Sequence, residues 1–371
     1  MINKKRLIGR FVKYVKIESI SRHEKKFSLV IRRELKDLGI STSEDSAGKR
    51  ICGDCGNIFG TLRANTKAKT RIMLNAHLDT VVPGKNIRPR IKGGIITSDG
   101  KTILGADNKA GVAVIMEVLQ TLKENKVPHG DIDVIFSAAE EIGLCGAKYV
   151  DRKFLKADIG YVLDGGDVDE IINKAPSQDS IDVRVIGRAA HAGVHPEDGI
   201  NAIRVASAAI ASMKLGRIDF ETTANIGIVS GGLATNIVPE SVIVRGEARS
   251  HDRSKLKKQV GHMKSCFRKA CKKYGARLEF TVTPAYRSFE LSAGSKAVQN
   301  AVSAAKAAGI KPIVKATGGG SDANIFNAMG LPSIILGVGA DNVHTNKENV
   351  KIAQMVKGCE FVLQLIRKSI A

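Results

Sequence analysis

Acidic and imidazole side chains fall in a fixed order along this 371-residue chain, and their types suit the binding of divalent metal. They are His77 and Asp79 in NAHLDT, Asp107 in GADNKAG, Glu140 and Glu141 in AAEEIG, Asp164 in YVLDGGD and His344 in DNVHT. Each lies where an apolar, strand-like run gives way to polar or glycine-rich sequence. Oxygen and nitrogen donors of this kind can hold a pair of zinc ions and activate a water molecule, which is the chemistry of hydrolysis.

The spacing assigns parts to the individual residues. His77 and Asp79 are two apart, so on extended backbone they point the same way. Asp79 can then accept the second ring N–H of His77 and fix its tautomer. Asp107 opens a helical pattern, where a carboxylate also suits an N-cap; the sharper reading is a carboxylate bridging two ions. Glu140 and Glu141 are adjacent acids after an apolar run, a costly pair unless cations neutralise them. Adjacent side chains diverge, so Glu141 reads as a ligand and Glu140 as the general base and later acid. Asp164 and His344 could each be routine loop residues; their weight comes from the ordered set. The expected tally is two ions sharing Asp107, one taking His77 and Asp164, the other Glu141 and His344. Donors without thiolate suit zinc, and also cobalt or manganese.

Elements able to position these residues are visible around them. Arg71–Asn75, Asp133–Ala138 and Ile159–Leu163 read as buried strands, with a helix at Ala110–Leu122. That alternation predicts an α/β fold with a mixed, mostly parallel sheet flanked by helices. Sites in such sheets collect at the carboxyl ends of the strands. From about Lys174 the texture changes to alternating strands, with helices near Ala202–Met213 and along the basic stretch Ser254–Arg277. The order β-α-β-β-α-β predicts an inserted α+β open sandwich. The α/β texture then resumes, ending in a helix from Glu348 to Ile370. The expected organisation is a catalytic domain in two segments, 1–174 and 288–371, interrupted by an inserted domain at 175–287.

Composition narrows the function classes. Lys plus Arg is 58 against 37 for Asp plus Glu, a formal charge of +21, which raises binding of a polyanion. The densest basic stretch carries apolar residues at helical spacing, so it reads as the solvated face of an amphipathic helix and argues against nucleic acid as a partner. Aromatic residues are only 4% of the chain, with no tryptophan, which argues against a surface of stacked rings. No apolar run is long enough to span a bilayer. The basic N-terminus reads as an amphipathic helix, not a signal peptide. The six cysteines lack framework spacing, and the Cys52–Cys55 pair lacks a partner pair, so reduced thiols in a cytoplasm are expected.

Together NAHLDT, GADNKAGVA, EEIGLCGA, LDGGD, GRAAHAGVHPEDGINAI, GGLATNIVP, GEARSHD, GGGSDAN and NVHT resemble the di-zinc exopeptidase and deacylase family, above all its peptidase T-like branch. The resemblance covers nearly the whole chain. It implies a metallopeptidase hydrolysing an amide bond in short peptides, with a tripeptide aminopeptidase as the leading function. An N-acyl amino acid deacylase or a carboxypeptidase is the alternative, and a polyanion-binding protein on a degenerate peptidase fold is a distant one. It implies that the insert is a lid and dimerisation domain, so that a homodimer is expected. It implies that His191 polarises the scissile carbonyl, with His195 second in line. It further implies that Asn236 and Arg249 hold a substrate carboxylate or carbonyl, that Gly318, Gly319 and Gly320 line the pocket, and that a cis peptide follows Asp107. From its own surroundings, Arg249 could instead be an ion-pair partner of Asp252.

Overall fold

A computed structural model describes residues 1–370. The chain divides into two compact units. The first comprises Met1–Lys174, Glu290–Thr317 and the chain from Ser321 onward; the second comprises Ala175–Phe289 together with Gly318–Gly320.

The first unit is built on a nine-stranded sheet. Its centre is four neighbouring strands, Ile132–Ser137, Ile72–His77, Ile159–Gly165 and Ser333–Gly337. All adjacent pairs among them run parallel. Their residues are almost all buried, which is why the sequence reads as continuous apolar runs and not as alternation. Antiparallel strands extend the sheet on both sides, Ile58–Leu62 against Ile132–Ser137 and Glu170–Ala175 against Ser333–Gly337, so the sheet is mixed.

The helix Ala106–Glu124 crosses between the strands ending at His77 and beginning at Ile132, and it buries residues on every side. Within it Glu117 is fully buried and is met by Arg6 and Arg10 of the first helix, Lys4–Val15, at 2.8 and 3.0 Å. A small antiparallel sheet runs in the order Ala340–Asp341, Asn349–Lys351, Ile95–Thr97, Arg90–Lys92. The sequence predicts helix from Glu348 onward, but pairing of Asn349–Lys351 with Ile95–Thr97 holds those residues extended, and the helix begins at Ile352.

In the second unit five antiparallel strands form a sheet in the order Gly216–Arg217, Thr222–Gly231, Ser241–Ser250, Ser177–Ile186, Arg277–Tyr286. The helices Ala202–Ala211 and Arg253–Tyr274 bury their apolar stripes on this unit's own core. The two-residue strand Gly216–Arg217 adds to the expected β-α-β-β-α-β order. Gly318–Gly320 groups with this unit for a visible reason: a Cβ at Gly320 would lie 2.2 Å from the ring of Tyr286.

Candidate metal centre

The four parallel strands deliver the chemistry at their carboxyl ends. His77 is the last residue of its strand, and Asp164 is the penultimate residue of Ile159–Gly165. Glu140 and Glu141 follow the strand that ends at Ser137, and His344 lies in the turn that joins Ala340–Asp341, beyond Ser333–Gly337, to Asn349–Lys351. Asp107 comes from the start of the crossing helix, where it and Asn108 have non-helical backbone angles, and the Asp107–Asn108 peptide is cis.

These residues meet. Oδ1 of Asp107 is 3.0 Å from Nε2 of His77, and Oδ2 is 3.3 Å from Nε2 of His344. Nε2 of His77 also lies 3.4 Å from Oδ1 of Asp164, and Nε2 of His344 lies 3.0 Å from Oε2 of Glu141. One carboxylate therefore faces two imidazoles, each of which faces a second acid. A cavity of about 230 Å³ opens beside them, lined by Asp107, Asn108, Asp164 and the turn Ala340–Val343.

The electrostatics call for cations. Burial pushes the carboxyls of Glu140 and Asp164 upward, and that of Glu141 to about 7. Burial works against charge on His77 too, but the carboxylates of Asp107, Asp164 and Asp79 outweigh it and raise its basicity. Hydrogen bonds donated to the carboxylates of Asp107 and Glu141 raise His344 to about 10. Nitrogen and oxygen donors converging on two loci, with no thiolate among them, fit divalent ions such as zinc. Ligand atoms of His77, Asp107 and Glu141 all lie within 4.8 Å of one another.

Around these donors lies a layer that the sequence shows only in part. Nδ1 of His77 is 3.0 Å from the carbonyl oxygen of Asp79 and 3.3 Å from its carboxylate. The Asp79 carboxylate accepts the backbone N–H groups of Glu140 and Glu141 and the hydroxyl of Ser21. Asp164 accepts from Asn108 and from Ser321, at 3.1 and 2.7 Å. Lys109 is fully buried; its Nζ donates to the carbonyl of Ile17 at 2.6 Å and lies over the ring of Phe27. Two further acids escape the sequence reading. Asp322 accepts a short hydrogen bond from Ser137 and buries Oδ1 with no partner; burial lifts its carboxyl to about 7. Glu348 is buried against the loop that carries Asp107. Asp322 sits inside the motif GGGSDAN, whose glycines make it look like part of a loop; Glu348 carries no signal beyond following His344 by four residues.

His191, Asn236, Arg249 and the glycines Gly318–Gly320 belong to the second unit. His191 is exposed, and its Nδ1 accepts the N–H of Gly193 at 3.2 Å. Asn236 is exposed, and its carbonyl accepts the N–H of Ala192, tying the two segments together. His195 lies 3.6 Å from Glu197. Arg249 forks onto Glu247 at 2.9 and 3.1 Å, whereas Asp252 caps the helix Arg253–Tyr274.

Comparison with known proteins places this geometry. The model of Peptidase family M20/M25/M40 matches residues 73–368. The uncharacterised protein YqjE of Bacillus subtilis is 42% identical over the full length of both chains. The crystal structure of aminopeptidase PepT from Bacillus cereus has a TM-score of 0.87 at 41% identity, covering 100% of each chain. That of a tripeptidase from Staphylococcus aureus has a TM-score of 0.91 at 40% identity, covering 99% of this chain and 98% of the other. With its family model spanning the strand ends, Asp107 and His344, the chain belongs to Peptidase family M20/M25/M40 and is a peptide hydrolase.

Proposed function

We propose that the chain is a tripeptide aminopeptidase working through a two-metal centre, with zinc as the ion its donors suit best and cobalt or manganese able to replace it. The observation that carries this reading is Asp107, whose two carboxylate oxygens face different histidines. The similarity to a tripeptidase and to an aminopeptidase along the whole chain supports the substrate class. His77 and Asp164 would hold one ion, Glu141 and His344 the other, with Asp107 shared. When bound, such a pair stabilises developing negative charge and brings the pKa of water toward neutrality.

The remaining chemistry belongs to the protein. Glu140 is 8% exposed and burial keeps its carboxyl basic, so it takes the proton of the attacking water and passes it to the leaving amine. Asp79 fixes the backbone of Glu140 and orients His77. In the second unit, the Gly193 N–H on Nδ1 of His191 leaves Nε2 to carry the ring proton, which suits donation to a developing oxyanion. Asn236 and Arg249 are assigned to the substrate's carbonyl or carboxylate, for which a guanidinium offers a bidentate grip. Gly318, Gly319 and Gly320 are assigned to the pocket wall. The second unit is proposed to act as a lid and dimerisation domain, and the protein to be a cytoplasmic homodimer; no described helix is long and apolar enough to cross a membrane.

The test is a panel of di-, tri- and N-acylated peptides with products identified by mass spectrometry. Release of the N-terminal residue from tripeptides is expected. Release of the C-terminal residue, or of an acyl group, would replace this reading with a carboxypeptidase or a deacylase. Chelation should abolish turnover and added zinc, cobalt or manganese restore it. Glu140→Gln should lower kcat by about 10²–10⁴-fold with metal retained.

A further inference from the structure

Glu348 is a buried carboxylate that no part of the proposed reaction uses. It is 1% exposed and takes three backbone N–H groups as direct partners, with the buried ammonium of Lys109 near enough for its charge to be felt. Oε2 accepts from Leu104 at 2.6 Å and Gly105 at 2.7 Å, and Oε1 accepts from Asp107 at 3.0 Å. These donors lie at the amino end of the helix Ala106–Glu124, where free N–H groups and the helix dipole both favour an anion. Burying a carboxylate is costly unless its charge is met by hydrogen bonds, so this cradle must be kept filled on both oxygens.

Its position makes it more than a helix cap. Glu348 follows His344 by four residues, and its own N–H is held by the carbonyl of Thr345. Directly after it, Asn349–Lys351 is fixed by pairing with Ile95–Thr97, and Asn346 donates to the carbonyl of Gly100. The same side chain therefore ties the turn bearing His344 to the loop bearing Asp107. Those two residues are far apart in the chain, yet their side chains approach to 3.3 Å.

We infer that Glu348 is a positioning residue of the metal centre, which through the backbone of Leu104–Asp107 sets the Asp107 carboxylate between His77 and His344. The inference rests on the two-metal reading. A glutamine at this position has nearly the same shape but only one acceptor oxygen. Its NH₂ would point a donor at a backbone donor, and the Asp107 loop would be released without a cavity being made.

The experiment is calorimetric titration of the metal-free protein with zinc, for the wild type, Glu348→Gln, Glu348→Asp and Arg71→Gln. Arg71 pairs with Asp133 at 2.6 Å in the same unit and has no contact with the centre, so its variant reports a loss of stability alone. Wild type should bind two equivalents. Glu348→Gln should bind at least one of them about 10–100-fold more weakly, the loss seen when groups that orient metal ligands are removed. Glu348→Asp keeps the charge on a shorter stem and should fall between; it decides the matter if the glutamine variant does not fold. Arg71→Gln should melt earlier and bind zinc as the wild type does. Unchanged zinc affinity in a folded Glu348→Gln or Glu348→Asp protein overturns the inference, as does an equal loss in Arg71→Gln. If the wild type itself binds no zinc, the two-metal reading falls, whatever Glu348 does.

Discussion

The backbone N–H of Glu140 donates to Oδ1 of Asp79 over 2.9 Å. The N–H of Glu141 donates to the other oxygen at 3.1 Å, beside the hydroxyl of Ser21 at 2.7 Å. Asp79 thus holds the peptide that presents both the proposed base and a proposed ligand, while its carbonyl and carboxylate flank Nδ1 of His77. Asparagine here would keep one acceptor and turn a donor toward the other N–H. Asp79→Asn is expected to lower kcat by about 10–100-fold and to loosen metal binding in step. Steady-state kinetics alongside metal analysis checks this. Wild-type kcat in a metal-replete variant would leave Asp79 without a positioning role.

How much of this was legible in the sequence follows from what each residue does. His77, Asp164, Glu140 and Glu141 end or follow apolar runs, and parallel strands bring such ends to one edge by topology alone. Asp107 and His344 come from outside strand ends, and it was their residue types within the ordered set that pointed to the centre. The pattern makes Glu348 the first residue of a helix, because nothing in its spacing reveals a carboxylate that folds back onto a loop. Asp322 carries no signal of its own, because the glycines before it make the segment look like a loop. Arg249 finds Glu247 on its own strand, a pairing that i,i+2 alternation allows but does not single out from Asp252. Strands broadcast their burial pattern locally, whereas contacts between loops depend on the finished fold.

Glu24 gives a stability prediction with a definite sign. Its side chain is buried; Oε1 accepts the N–H groups of Arg22 and Ala139, and burial, with Asp79 nearby, lifts the carboxyl from 4.5 to about 7. The folded state therefore binds this proton more tightly than the unfolded chain does. The contribution is fully present below about pH 4.5 and is lost as pH rises through about 7. Glu24→Gln keeps the acceptor oxygen and cannot ionise. Urea unfolding of both proteins from pH 5 to 8.5 should show the wild type losing on the order of 1–3 kcal/mol relative to the variant. A difference that does not change with pH would show that Glu24 titrates at its ordinary value.

The ion cluster at Glu117 predicts a larger loss. Both of its oxygens are used, by Arg6 at 2.8 Å and Arg10 at 3.0 Å, with the N–H of Asn3 at 3.1 Å. Removing its charge takes the buried partner from both guanidinium groups, leaving Arg6 with the more exposed Glu124 and Arg10 with Glu34. Glu117→Gln is expected to destabilise the first unit by about 3–5 kcal/mol. Denaturant unfolding measures it; a loss below about 1 kcal/mol would place the cluster with solvent-screened surface pairs.

Gly111 links packing to chemistry most directly. A Cβ there would lie 2.3 Å from both Oδ1 of Asn108 and the carbonyl oxygen of Leu163, and 3.2 Å from the Cβ of Ala76. The helix can therefore touch the strand carrying Asp164 only where this side chain is missing. Asn108 Oδ1 accepts the N–H of Gly111, and its Nδ2 donates to Asp164. An added methyl must push the helix away from Leu163 or turn Asn108 out of this bridge. Neither of the two oxygens it meets sits at the end of a long flexible side chain, so little relaxation is available. Gly111→Ala is expected to cost about 1–3 kcal/mol through overpacking, even though alanine is the better helix former. Because Asp107 and Asp164 lie on the two surfaces being forced apart, metal affinity should fall with stability. Urea unfolding and zinc titration of the same preparation test both. Should Gly111→Ala prove as stable as the wild type, helix propensity has won, and the close contact with Leu163 is not what seats the helix.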